Sequence, residues 1–174
     1  AAMVMSFVLW DDITDDGART MLAGAIAFDR FSMLATITIC AAVLLASMIA
    51  DDYLRREELD GPEIYGLFLM AAIGGVVMGA ANDLIVLFLG LETMSVAVYV
   101  LAGFNRGNAF SAEAALKYFL IGAFASGFLL YGIALTYGAA GSTNLAQIGA
   151  QFSQGELSMM AKLGLGFLII GFGF

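Results

Sequence analysis

Histidine is absent from this sequence of 174 residues, and cysteine and proline occur once each, as Cys40 and Pro62. With no imidazole and one thiol, the chain lacks the ligands for a haem held by histidine, an iron–sulfur cluster on four thiolates or a His/Cys zinc site. It also has no second thiol for an internal disulfide. Any redox chemistry associated with it therefore belongs to a partner. Charge is scarce too: Asp, Glu, Lys and Arg make up 13% of the chain, about half the share in an ordinary soluble domain. Basic residues are the scarcer sign, 7 against 15 acids, for a formal net charge of −8. The acids lie mostly in short connections, and this balance argues against binding nucleic acid or an anionic lipid surface.

What fills the chain instead is apolar, with 61% hydrophobic residues and a mean hydropathy of +0.93. That composition predicts an all-α fold, a polytopic transmembrane helix bundle forming a single membrane domain over residues 1–174. Four runs, at 31–50, 64–81, 84–104 and 110–137, match the ~20 residues that a spanning helix needs. Residues 1–10 and 157–174 read as two truncated spans. The first begins without Met, and the last ends in apolar residues from Leu163 onward with no cap or charge. The expectation is four complete spans and two partial ones; with the true N-terminus expected to lie outside this sequence, no signal peptide can be claimed.

The connections carry the polar residues. Residues 11–30 open with Asp11-Asp12-Ile13-Thr14-Asp15-Asp16 and contain eight apolar residues at 21–28, too few to span, which predicts a short hairpin or interfacial segment. Residues 51–62 mix Arg55 and Arg56 with five acids and end in Gly61-Pro62, where proline suits the first turn of a helix. Asn82-Asp83 divides an apolar stretch that as one helix would be roughly 60 Å long, twice the hydrocarbon thickness, so a tight polar turn must reverse the chain there. Residues 138–156 are rich in Gly, Ser, Thr, Asn and Gln and read as a connector. Arg55, Arg56 and Arg106 on one side balance Arg19, Arg30 and Lys162 on the other, so charge leaves the orientation open. Gly75-x-x-x-Gly79 and Gly122-x-x-x-Ser126 have the spacing of helix packing. Gly164-x-Gly166 lies in an apolar run and has Ile169 in the place of a third glycine, so it is no dinucleotide fingerprint.

Glu92 is the outstanding residue. It stands ~12 Å from Leu84 and ~18 Å from Phe104 along its helix, near the bilayer midplane. An unpaired charge there costs at least about 2.5 kcal/mol, so intramembrane acids are paired or functional. An acid alternating between dry and cation-bearing surroundings takes up and releases a proton. The structural alternative is a neutral Glu92 hydrogen-bonded to a neighbouring helix. Lys117, ~9 Å into the next span, follows Glu113 at the i, i+4 spacing of an ion pair. It reads either as a snorkelling lysine held by Glu113 or as a proton relay, too far from Glu92 for direct pairing. Lys162 reads as an interfacial anchor, Asp83 as a helix N-terminal group, and Asp29-Arg30 as a boundary salt bridge.

Ala81-Asn82-Asp83-Leu84, Gly90-Leu91-Glu92-Thr93-Met94-Ser95, Ala112-Glu113-Ala114-Ala115-Leu116-Lys117-Tyr118-Phe119 and Gly122-Ala123-Phe124-Ala125-Ser126-Gly127 carry a resemblance. Together they resemble the subunit N family of respiratory NADH–quinone oxidoreductase, complex I. The resemblance implies the N-terminal part of an antiporter-like subunit of about fourteen helices that translocates protons while partner subunits oxidise NADH and reduce quinone. NADH, FMN, iron–sulfur clusters and quinone would sit in that complex, with none bound by this chain. Its partners would be the other membrane subunits and the lipid bilayer, in a bacterial inner membrane. Glu92 matches the family's acid that pairs with a central lysine, and Lys117 matches a second lysine. The central lysine would follow a run like Gly164-Leu165-Gly166-Phe167 to Gly171-Phe172-Gly173-Phe174. The resemblance also implies that 51–62 and 105–109 are cytoplasmic and 138–156 periplasmic. Subunits of multisubunit sodium/proton antiporters or membrane-bound hydrogenases share these helices, and a purely structural membrane subunit is the third reading.

Overall fold

The computed structural model describes residues 2–16, 19–59 and 61–173, without the side chains of residues 11, 12 and 14–16. In chain order the elements are α1 (Ala2–Asp16), β1 (Arg19–Met21), β2 (Ile26–Phe28), α2 (Arg30–Arg56), α3 (Glu63–Gly79), α4 (Leu84–Ala102), α5 (Ala109–Ala140), α6 (Leu145–Phe152) and α7 (Met159–Phe172). The fold is mostly helical, with one small antiparallel hairpin, β1–β2, that pairs Arg19 with Phe28 and Met21 with Ile26. That hairpin lies in the 11–30 connection, where eight apolar residues were too few to cross a membrane. Among the described residues three helices, α2, α4 and α5, are long and apolar enough to do so, while α3 and α7 are shorter apolar helices.

Three expectations change. Helix α1 does not stop at Trp10 but continues through residue 16; the acidic side chains of that last turn lie outside the described residues. The 138–156 connection is not featureless: α5 runs on to Ala140 and α6 follows. Leu145, Ile148 and Phe152 recur at helical spacing and Asn144 accepts from the Ala146 and Gln147 amides, so a residue type read as a turn former acts as an N-cap. Ile148 is buried with Leu84, Leu129, Ile133 and Leu168 in the main apolar cluster. Asp29 and Arg30 form no ion pair among the described residues. Asp29 caps α2 instead, its carboxylate accepting from the Ser32 amide while the Ser32 hydroxyl accepts from the Asp29 amide.

Helices α3 and α4 pack antiparallel with their backbones in contact, and so do α5 and α7. Gly74 of α3 faces Gly90 of α4. A Cβ on Gly90 would stand 2.7 Å from the Met78 nitrogen and 2.8 Å from the Gly74 oxygen, so only hydrogen fits. Helices α5 and α7 meet as closely: a Cβ on Gly132 would stand 2.7 Å from the Leu168 nitrogen. Gly75 and Gly79 face Ile39 and Ala35 of α2, the packing role expected of that pair.

The hairpin turn, the α3–α4 link and the α5–α6 link converge at one end of the bundle. The Asn82 amide donates to the Ala25 carbonyl at 2.9 Å, and the Leu84 amide donates to the Thr143 carbonyl at 2.9 Å. Asn82 Nδ2 and Asn144 Nδ2 both donate to the Gly24 carbonyl, at 2.8 and 3.1 Å. Thr143 Oγ1 donates to Asp83 Oδ2 at 2.6 Å, while Asp83 Oδ1 accepts from the Ile85 amide and so caps α4. The expected polar reversal at Asn82-Asp83 is therefore also a junction between three segments.

Because the Gly74–Gly90 contact leaves no room for a side chain, Gly90→Val forces α3 and α4 apart. The expected cost is about 1–3 kcal/mol or more, seen as a lower unfolding midpoint of the intact protein in detergent. An unchanged midpoint would show that the close approach is not needed.

Candidate functional site

Helix α4 is apolar apart from Thr93, whose hydroxyl donates to the Leu89 carbonyl, and one stripe. Glu92 lies eight residues after Leu84 and ten before Ala102, ~12 and ~15 Å from the helix ends. Ser95 and Tyr99 follow at i+3 and i+7, on the same face. That face meets α5. The Ser126 hydroxyl donates to Glu92 Oε1, so the half-buried carboxylate is joined to the next helix by a neutral group.

The other end of the stripe is fixed by an aromatic group and a missing side chain. Tyr99 packs edge-on against Tyr118 and Phe119, with ring centroids 4.9 and 5.8 Å apart, and lines the same space as Ser95. A Cβ on Gly122 would fall on that hydroxyl. Gly122-x-x-x-Ser126, expected to be packing alone, thus makes room for Tyr99 at one position and supplies the partner of Glu92 at the other. Between α4, α5 and the end of α7 lies a cavity of about 170 Å³, lined by Ser95, Tyr99, Tyr118, Ser126, Gly171 and Phe172 among others. One water needs roughly 10–15 Å³ of such space, so the cavity has room for several, with four hydroxyl-bearing residues on its wall.

Lys117 lies elsewhere. It pairs with Glu113, as the i, i+4 spacing led one to expect, and the two side chains are 69% and 56% exposed. Nine residues separate it from Ser126, ~13.5 Å along the helix, and among the described residues Glu92 and Lys117 form no ion pair. Lys162 is exposed in the first turn of α7. Cys40 is a free thiol, and the described residues include no group of three or more His, Cys, Asp or Glu side chains suited to a metal ion. Sequence reasoning missed Ser126, Ser95 and Tyr99 as parts of the site. The i, i+3, i+7 stripe of Glu92, Ser95 and Tyr99 on a largely apolar helix was the available signal.

The fold and site define a class: a bundle of apolar helices, three of them of membrane-crossing length, that seats an acid at mid-helix among hydroxyl groups. Residues 81–174 match the family described as NADH:quinone oxidoreductase/Mrp antiporter, TM. The chain belongs to that family. It is 44% identical over 150 residues to NADH-quinone oxidoreductase subunit N of Trichlorobacter lovleyi, an alignment covering 85% of this chain and 31% of that protein. Among solved structures it is similar to a chain of respiratory complex I from Thermus thermophilus with bound aureothin (TM-score 0.74, 29% identity, covering 98% of this chain and 35% of that one). It is also similar to a chain of the membrane-bound sulfane sulfur reductase, an archaeal respiratory membrane complex (TM-score 0.78, 25% identity, covering 98% and 36%). The chain spans about a third of the length of the relatives it matches.

Gly122→Val is expected to displace the Tyr99 hydroxyl and loosen α4 from α5, lowering the unfolding midpoint of the intact protein by the equivalent of about 1–3 kcal/mol. Adding Tyr99→Phe should recover part of the loss. Equal midpoints for Gly122→Val and the parent would remove this contact from the account.

Proposed function

We propose that this chain forms part of a proton-translocating membrane subunit of an NADH:quinone oxidoreductase, similar to subunit N, in a bacterial inner membrane. The observation that carries the reading is Glu92, a single acid in the middle of an apolar helix whose hydrogen-bond partner, Ser126, is neutral. Electron transfer, with its FMN, iron–sulfur clusters, NADH and quinone, belongs to partner subunits, in keeping with a chain that has one thiol and no imidazole. This chain's own residues hold and move a proton.

Glu92 Oε1 is the atom that takes the proton, and a cation supplied by another helix of the longer protein holds the carboxylate in its charged form. An ion pair at 4 Å is worth about 4 kcal/mol at an effective dielectric near 20. A conformational or electrostatic change driven by quinone chemistry that opens the pair is therefore large enough to shift where the proton resides. Lys117 is a second relay group, reached when it leaves Glu113. In this orientation the 105–109 connection faces the cytoplasm and the 138–156 segment faces the periplasm.

A second reading is favoured by the family description itself, which joins the oxidoreductase to Mrp antiporters. There the same acid would serve sodium/proton exchange without electron donors.

The test is NADH-driven proton pumping in membrane vesicles carrying Glu92→Gln in the intact gene, normalised to assembled complex. Pumping is expected to fall with assembly preserved, and Lys117→Met should lower it less. Unchanged pumping in Glu92→Gln would make the residue a structural acid and overturn the reading. Sodium-driven proton flux without NADH would move the protein to the antiporter reading.

A further inference from the structure

The Ser126 hydroxyl stands in two places at once. It donates to Glu92 Oε1, and Ser126 lines the 170 Å³ cavity, whose wall also carries Ser95, Tyr99 and Tyr118. From Ser126 to Tyr118 is eight residues of α5, and from Leu91 to Tyr99 is eight residues of α4, so the cavity follows the helices for ~12 Å. It extends from mid-helix toward the 103–108 connection. Leu91, Met94, Ala125 and Phe172 complete the lining with apolar surface, so water there depends on the hydroxyls, each of which donates one hydrogen bond and accepts two.

We propose that Ser126 is a proton relay that joins a file of water in this cavity to Glu92, so that protons reach the carboxylate through its hydroxyl. The inference rests on the reading of Glu92 as a proton acceptor and adds the group that delivers to it. A hydronium in the cavity gives a proton to Ser126 Oγ as the existing Ser126 O–H bond breaks toward Glu92 Oε1. One O–H bond forms and one breaks at the serine, the carboxylate becomes a carboxylic acid, and the hydronium returns to water. Rotation of the hydroxyl then restores its starting position. Tyr99, packed against Tyr118 and Phe119 and seated over Gly122, forms the far end of the cavity.

The experiment uses the intact subunit in its assembled complex, in membrane vesicles, comparing Ser126→Ala, Ser126→Val, Ser126→Thr and Glu92→Gln for protons pumped per assembled complex. Valine and threonine have nearly the same shape, so the pair isolates the hydroxyl should alanine disturb packing. Thr is expected to retain pumping, while Ala and Val lose roughly tenfold or more, as for a positioned proton-transfer group. A merely structural serine would give the same pumping per assembled complex in Val and Thr. Equal pumping in Val and Thr, alongside a defective Glu92→Gln, overturns the relay and leaves the proton-translocation reading standing. A fully active Glu92→Gln overturns that reading and the relay with it.

Discussion

Everything in the bundle depends on where α4 begins, and one carboxylate sets it. Asp83 accepts from the Ile85 amide with one oxygen and from Thr143 Oγ1 with the other. The same side chain therefore starts α4 and ties it to the link after α5. Asn82 and Asn144 then share the Gly24 carbonyl, which brings in the hairpin. Backbone groups leaving a membrane helix need partners, and these loops supply them to one another. Glu92 is nine residues beyond this anchor, ~13.5 Å along the helix, so its depth follows from the junction. The hairpin takes part under strain: Leu22 and Ala23 adopt φ of +51° and +56° ahead of Gly24 at +87°, a left-handed run that costs L-residues roughly 1–2 kcal/mol each.

Lateral position is set by a different force. Lipid tails are as apolar as leucine, so burying apolar side chains between membrane helices gains little, and close contact decides which faces meet. Gly74 against Gly90 and Gly132 against the backbone of Leu168 bring main chains into van der Waals contact. The α4–α5 seam is different in kind. It is held by Ser126 on Glu92 and by the Tyr99 ring against Tyr118 and Phe119, with Gly122 clearing the way. Directional polar and aromatic contacts fix one register, and they leave the intervening space as a cavity. The seam that carries the acid is thus the one where polar groups take the place of close backbone packing.

This division explains what was legible in the sequence. Hydropathy reports depth, so the reversal at Asn82-Asp83 and the mid-helix position of Glu92 could be read from single residues. The hairpin was accessible because eight apolar residues between acids and Arg30 cannot cross a bilayer. Lateral neighbours leave a fainter trace. Gly122 and Ser126 have the spacing of packing residues, and nothing in their own helix shows that Tyr99 and Glu92 lie opposite. Helix α6 was hidden because Asn144 caps a helix with the same side-chain chemistry that makes turns, and the glycines and glutamines around it mask Leu145, Ile148 and Phe152. Asp29 misled for a related reason: its neighbour Arg30 suggested an ion pair, while Ser32, three residues on, formed the capping box.

The choice of partner for a mid-membrane acid then acquires meaning. A lysine has three donors and no acceptor, so it satisfies a carboxylate and leaves a protonated carboxyl group's O–H without a partner. A serine hydroxyl donates to the carboxylate and, turned about its Cβ–Oγ bond, accepts from the carboxylic acid. The same atom can therefore bond Glu92 in either protonation state, so that neither would leave an orphaned polar group in a dry interior, where such a group costs about 1–3 kcal/mol. An acid paired with Ser126 can change state without rearranging α4 against α5. Glu113 and Lys117, held as an exposed ion pair, have no such neutrality and need a change of position to release a proton. On the proposed reading of Glu92, a hydroxyl that can turn either way next to a cavity lowers the cost of a change in protonation and leaves its timing to the charge that approaches.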